Sequence, residues 1–287
     1  MRVRLLALLS ALALWVIAAV PASATSEGHS YLALGDSVSF GFNPLVDARN
    51  IKNFTGWPEI VAQRLNIEDV NTACPGEATG GFISLTGTDN VCRPYRFFFN
   101  FPLHVAYSGA QLAFATNYLS THPRTRLVTL MLGANDIFRF QKDCAMTPKP
   151  GPTCALGLLG VLGVMQANLN TIFGAIRATG YTGLIVALTY YSLDYRDESG
   201  AKALNAPMIA AAAAHGVVVA DGLGAWRATA NAAGGSSCAA GLLIPLPSGG
   251  CDVHPTPKGR DLLAGAVIDA IGGTCPAADP IGCLNRA

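Results

Sequence analysis

Gly35-Asp36-Ser37 closes an apolar run, Tyr31 to Leu34, that reads as a buried strand ending in a sharp turn. A serine at the carboxyl end of such a strand can act as a nucleophile if a histidine base and an oxyanion hole come from elsewhere in the chain. Three later blocks offer such groups in order: Asn71 with Cys74-Pro75-Gly76-Glu77, then Gly133-Ala134-Asn135-Asp136, then Asp252-Val253-His254-Pro255. Imidazole is the side chain suited to taking a hydroxyl proton near neutral pH. A glycine can bring its N–H close to a substrate, and an asparagine amide is a neutral donor. Three of the four blocks also have a plain reading: a strand-to-helix turn with a Ser cap, a turn capped by Asn135-Asp136, and a loop histidine before a proline.

The elements that must position these residues alternate. Apolar strands are expected at 31–34, 70–73, 127–132, 184–189 and 217–221. Helical spacing lies between them, opening at Trp57-Pro58 and covering Ser108 to Leu119, Leu156 to Ala178 and Lys202 to His215. A last helix runs from Pro257 through Ile271, with Thr256 as its N-cap. Strands alternating with helices imply an α/β fold with a parallel sheet covered on both faces. The glycine-rich stretch Cys74 to Gly81, the aromatic stretch Phe82 to Leu103 and the proline-rich segment between Cys144 and Cys154 are expected to be irregular.

Residues 1–24 have the pattern of a signal peptide: Arg2 and Arg4, an apolar core from Leu5 to Val20, and the small-residue site Ala22-Ser23-Ala24. The core is short for a membrane span, so cleavage after Ala24 and secretion are expected, with an uncleaved anchor as the alternative. Residues 25–287 then suit one α/β domain, expected to be a monomer without a stable membrane span. Two of the 19 basic residues fall in the leader and 18 residues are acidic, which leaves no basic stripe for nucleic acid. Cys74, Cys92, Cys144, Cys154, Cys238, Cys251, Cys275 and Cys283 form an even set in an exported chain, which favours disulfides over zinc because no Cys-x-x-Cys occurs. Pairing of sequence neighbours is expected. No His-x-x-x-His, phosphate-binding loop or dinucleotide fingerprint is present, so no metal or other cofactor is expected. The absence of Gly-x-Ser-x-Gly argues against the α/β-hydrolase elbow.

With all four blocks in order, the chain resembles the SGNH (GDSL-type) esterase and lipase family, particularly its secreted actinobacterial-style members. The resemblance implies a flavodoxin-like three-layer α/β/α sandwich that hydrolyses carboxylic esters. It implies Ser37 as nucleophile, His254 as its base, and an oxyanion hole from the N–H groups of Ser37 and Gly76 and the amide of Asn135. Gly80 is the alternative to Gly76. The family's aspartate stands three residues before the histidine, where this chain has Cys251. Asp252, two before His254, is the candidate to orient the imidazole, with a backbone carbonyl near Cys251 as the alternative. Small-molecule, lipid and polysaccharide esters are all open as substrates, as is a non-catalytic or carbohydrate-binding role on the same scaffold. The aromatic stretch Phe97 to Phe101 and Leu242 to Leu246, expected to be an apolar loop, either line an acyl pocket or pack.

Overall fold

The computed structural model describes residues 30–145 and 152–274. The expected leader, Cys275 and Cys283 lie outside the described residues. β1 (Ser30–Gly35) turns into a single-turn helix, α1 (Ser37–Phe40), followed by α2 (Trp57–Leu65) and β2 (Glu68–Asn71). Next come α3 (Thr79–Ile83), α4 (Cys92–Phe97), α5 (Gln111–Thr121), β3 (Thr125–Met131), α6 (Ala134–Ala145) and α7 (Pro152–Ala178). The chain continues through β4 (Leu184–Leu188), α8 (Ser199–Ala214), β5 (Val218–Ala220) and α9 (Gly222–Asn231). It closes with β6 (Leu243–Pro245), β7 (Cys251–Pro255) and α10 (Pro257–Thr274).

The first five strands are parallel and ordered β2-β1-β3-β4-β5. That is the doubly wound, flavodoxin-like order, whose crevice opens where β1 and β3 send their connections to opposite sides. Side chains alternate across the sheet and separate two cores. Tyr31, Ala33, Leu127, Met131, Val186 and Leu188 face α2, α9 and α10, with Trp57 and Trp226 fully buried among them. Leu32, Leu34, Val128, Leu130, Ile185 and Ala187 face α5, α7 and α8. Because both faces are covered, β1, β3 and β4 read as near-continuous apolar runs rather than alternating ones, whereas the edge strand β2 is mostly polar. The Gly157–Ala178 stretch of α7 is long and apolar enough to cross a bilayer, but here it lays Met165, Leu169, Ile172, Phe173 and Ile176 into the second core.

Two expected irregular segments are corrected. Thr79 starts α3 inside the glycine-rich stretch, and α4 lies inside the aromatic one. Cys144 and Cys154 themselves sit on α6 and α7, and residues 146–151 of the expected irregular segment between them lie outside the described residues. Both α3 and α4 are too short to leave a periodic signal. Likewise Leu242 to Leu246 is not a loop: β6 pairs antiparallel with β7, Leu243 opposite Pro255 and Pro245 opposite Cys251.

Disulfides join Cys74 to Cys92, Cys144 to Cys154 and Cys238 to Cys251. The third anchors β7 at its first residue. Replacing Cys238 and Cys251 together by Ser should therefore lower unfolding stability by about 3 kcal/mol, the effect of opening a loop of this length. Urea titration followed by tryptophan fluorescence measures it, and an unchanged midpoint would show that packing alone holds the strand.

Candidate active site

Gly35 ends β1 at φ +142°, and a Cβ there would lie 2.4 Å from the Met131 carbonyl oxygen, so only glycine fits the turn. Asp36 follows as N-cap of α1, its carboxylate accepting the Val38 N–H at 3.0 Å. The cap therefore comes from Asp36, and the Ser37 hydroxyl meets His254 instead, with Oγ to Nε2 at 2.8 Å.

His254 is delivered by β7. Residues two apart on a strand share a side, and Asp252 and His254 do so here. Oδ1 of Asp252 hydrogen-bonds the ring Nδ1 and also accepts the His254 backbone N–H. A carboxylate on Nδ1 selects the tautomer whose Nε2 is free to take the Ser37 proton. Burial would raise the Asp252 carboxyl, but the His254 hydrogen bond, its charge and its backbone N–H outweigh that and hold it below the usual carboxylate range. Several contacts hold the strand in place. Tyr191 donates its hydroxyl to the Val253 carbonyl at 2.6 Å and stacks on Trp226 at 3.8 Å between centroids. Trp226 in turn donates to the Gly259 carbonyl at 3.0 Å, and Phe42 packs on the His254 ring.

Asn135, buried at the start of α6, lies just beyond β3. Its Oδ1 accepts from Asn90 Nδ2 at 3.0 Å, which turns its NH₂ toward Asp36 Oδ2 at 3.4 Å, and Asn135 and Ser37 line the same cavity. The Asn90 backbone N–H also donates to the Gly76 carbonyl at 3.2 Å, so one residue ties Asn135 to Gly76. Gly76 has φ +83°, and a Cβ there would run into Val91 Cγ2 at 2.2 Å. Gly80 lies within α3 against the Thr88 backbone, which leaves Gly76 as the candidate donor. Among the described residues, neither the Ser37 N–H nor the Gly76 N–H meets a protein acceptor. Asn90, in a short Thr-Asp-Asn connection, carries no sequence signal for this task.

Asp36 is fully buried, and burial pushes its carboxyl up to about 6 against hydrogen bonds from Tyr190 and Val38. The Tyr190 hydroxyl donates to Oδ2 at 2.5 Å. Asp136 turns away from Ser37: its carboxylate accepts the Thr79 N–H at 2.9 Å and the Thr79 hydroxyl at 2.6 Å, capping α3. Its carboxyl is raised by burial. Asn71 is structural as well, donating to the Ser39 carbonyl and to Glu59.

A cavity of about 480 Å³ opens beside Ser37 and His254, on the β4 side. Its wall is mainly apolar, from Phe138 and Phe140 on α6, Leu158 and Leu162 on α7, and Leu193 and Leu204 before and on α8. Neither aromatic nor leucine-rich candidate stretch lines it. Phe101 packs on Phe40, Phe42 and Phe54, Phe98 and Phe99 are exposed, and Leu242, Leu243 and Ile244 are buried in the fold.

The arrangement can attack an acyl carbon with a serine hydroxyl, remove its proton through a carboxylate-oriented imidazole, and receive the resulting oxyanion on preset N–H donors. Solved structures share the fold at low identity. A phospholipase A1 from Streptomyces albidoflavus NA297 is 18% identical with a TM-score of 0.51, over 86% of this chain and 99% of that one. An acetyl xylan esterase from Geobacillus stearothermophilus is 16% identical at 0.51, over 85% and 95%. LAE5, an alpha/beta hydrolase enzyme from the metagenome of Lake Arreo, is 17% identical at 0.52, over 85% and 94%. No curated protein matches the sequence significantly. The model of the GDSL-like lipase/acylhydrolase family matches residues 33–262, and the chain belongs to that family.

Proposed function

We propose that the protein is an exported serine hydrolase of carboxylic esters with an apolar acyl group. The observation that carries this is the Ser37–His254–Asp252 alignment, with Ser37 Oγ 2.8 Å from Nε2 and Asp252 on Nδ1. Ser37 Oγ attacks the acyl carbon as His254 Nε2 takes its proton. The tetrahedral oxyanion is received by the N–H groups of Ser37 and Gly76 and the Asn135 amide, each donor worth about 3–4 kcal/mol in the transition state. His254 then protonates the departing alkoxide, leaving an acyl-serine. Water, deprotonated by the same ring, releases the acid and restores Ser37. Asp252 stabilises the imidazolium formed at each step.

The cavity supports the substrate class. A pocket of about 480 Å³ walled by leucines and phenylalanines favours an acyl chain over a bare acetyl group. Export through residues 1–24 belongs to this reading, and three disulfides are compatible with an oxidising compartment.

A fluorophosphonate probe should label folded protein at Ser37, and Ser37→Ala should abolish both labelling and ester cleavage. Across nitrophenyl esters, kcat/KM should rise about threefold to fourfold per added methylene until the cavity is full. No labelling at Ser37 would sink the hydrolase reading and favour a binding role, while a flat series would sink the acyl preference alone.

Asp252→Ala should lower kcat about 1,000-fold or more with Ser37 still present, by loss of the tautomer and of imidazolium stabilisation. A loss below about tenfold would hand the orienting role to another group.

Asn135→Ala should lower kcat about 100-fold with little change in KM, because its donor counts in the transition state. Asn90→Ala should lower kcat about tenfold in the same pattern, since it loosens the donor without deleting it. A change confined to KM in either variant would place both residues in substrate binding instead.

A further inference from the structure

Behind the nucleophile turn lies a buried polar cluster that the steps above do not use. Gln111, wholly buried at the start of α5, accepts the Gly35 N–H at 2.8 Å and donates to the Gly35 carbonyl at 3.0 Å. It pairs both backbone groups of the residue where β1 ends, as a neighbouring strand would. The same Nε2 reaches Glu77 Oε2 at 3.4 Å, and Glu77 is the residue after Gly76.

Glu77 is buried, and its surroundings do not suit a charge. The sulfur 3.3 Å from Oε2 belongs to Cys92, which is in a disulfide and has no proton to donate. A Cβ on Gly81 would lie 2.8 Å from Glu77 Oε1 and 3.2 Å from Asp89 Oδ1, so two carboxyl groups flank one glycine. Of the two, Asp89 is the one with a cationic partner: its Oδ2 accepts the Arg93 N–H at 2.9 Å and faces Arg93 Nε at 3.6 Å. Two buried carboxyls this close do not both ionise readily.

We propose that Gln111 and an uncharged Glu77 form a positioning brace that locks the Gly76 loop to the nucleophile turn at Gly35–Ser37. Its kinetic consequences rest on the ester-hydrolase reading; its protonation state does not. A protonated Glu77 needs no counter-charge in the core and can offer its O–H to the disulfide sulfur, a weak acceptor. Burial, then the Asp89 charge, push its carboxyl up to about 8, opposed by Gln111, Arg96 and Arg93. Tyr107 is the other titratable group facing it, and is itself raised by burial and by Glu77. Ionisation puts a second negative charge beside Asp89 and draws the Gln111 amide from Gly35, so the Ser37 and Gly76 donors lose their common setting.

The test compares wild type with Glu77→Gln, Glu77→Ala and Gln111→Leu between about pH 6 and 9, using a soluble nitrophenyl ester. Wild-type kcat should fall along an alkaline limb near pH 8. Glu77→Gln, an isostere of the protonated acid, should keep kcat within about twofold of wild type at pH 7 and lack that limb. Glu77→Ala and Gln111→Leu should lose about tenfold in kcat with KM nearly unchanged. Thermal unfolding gives a reading independent of catalysis. The Glu77 carboxyl is raised from 4.5 to about 8 on folding, so the stability its proton confers is full below 4.5 and is lost as pH climbs to about 8. The Tm of wild type should fall relative to Glu77→Gln across that window and the gap should then hold constant. An unchanged alkaline limb in Glu77→Gln, an impairment equal to that of Glu77→Ala, or a Tm gap that ignores pH overturns the brace. A wild type that neither cleaves esters nor reacts with fluorophosphonate overturns the hydrolase reading instead, and the Tm comparison then judges Glu77. Should Gln111→Leu fail to fold, the Glu77→Gln profile decides.

Discussion

The hydrogen bond between Ser37 and His254 joins residues 217 positions apart, and most of the structure around it serves to make that bond possible. Ser37 is held by the sheet itself, one residue past the N-cap that ends β1. His254 belongs to a two-stranded hairpin outside the main sheet, and such a hairpin is marginal on its own. It is therefore pinned from several directions: a disulfide at Cys251, the Tyr191 hydroxyl at Val253, Phe42 against the ring, and Trp226 holding the start of α10 through Gly259. Each tie constrains a different degree of freedom, so the imidazole is fixed in position and in rotation. The carboxylate on Nδ1 sets its tautomer only because the strand already presents both side chains on one side.

Buried carboxyls then divide the chemistry by environment. Asp252 is partly buried and bonded to imidazole, which holds its carboxyl below the usual range. Asp36 is enclosed, with a tyrosine hydroxyl and backbone N–H to compensate, and its carboxyl rises to about 6. Glu77 has one weak donor and a neighbouring carboxylate, and rises further. Burial acts in the same direction on all three; the number and charge of the donors facing each one decide the outcome.

The legible part of the sequence was the part built from local repetition. The strands ending at Gly35 and Met131 are mostly apolar runs because helices cover both faces, and the same runs locate Ser37 and Asn135 at the sheet's carboxyl edge. Asp252 and His254 were visible as a pair, but their strand was not, since three-residue β6 and five-residue β7 are too short and too proline-bearing to show a period. α9 was hidden for a related reason: its Gly-Leu-Gly-Ala start is a poor helix former, and burial of Trp226 and Leu223 overrides that propensity. Asn90 and Gln111 could not be found locally at all. Their partners are Asn135, 45 positions away, and Gly35, 76 positions away, and an isolated amide residue carries no mark of the distant group it will meet.

Ser37, Asn135 and Gly76 sit just past β1, just past β3 and in the loop after β2, where backbone geometry and glycine requirements leave little freedom. The cavity wall comes from a different part of the molecule, α6, α7 and the start of α8, whose exposed and half-buried leucines and phenylalanines are not needed to align Ser37 with His254. Side chains there can change size without disturbing the hydrogen bonds that join Ser37, His254 and Asp252. A shared sheet can thus serve a phospholipase and an acetyl xylan esterase alike. What an individual chain accepts must be read from its helical wall, and in this protein that wall is apolar.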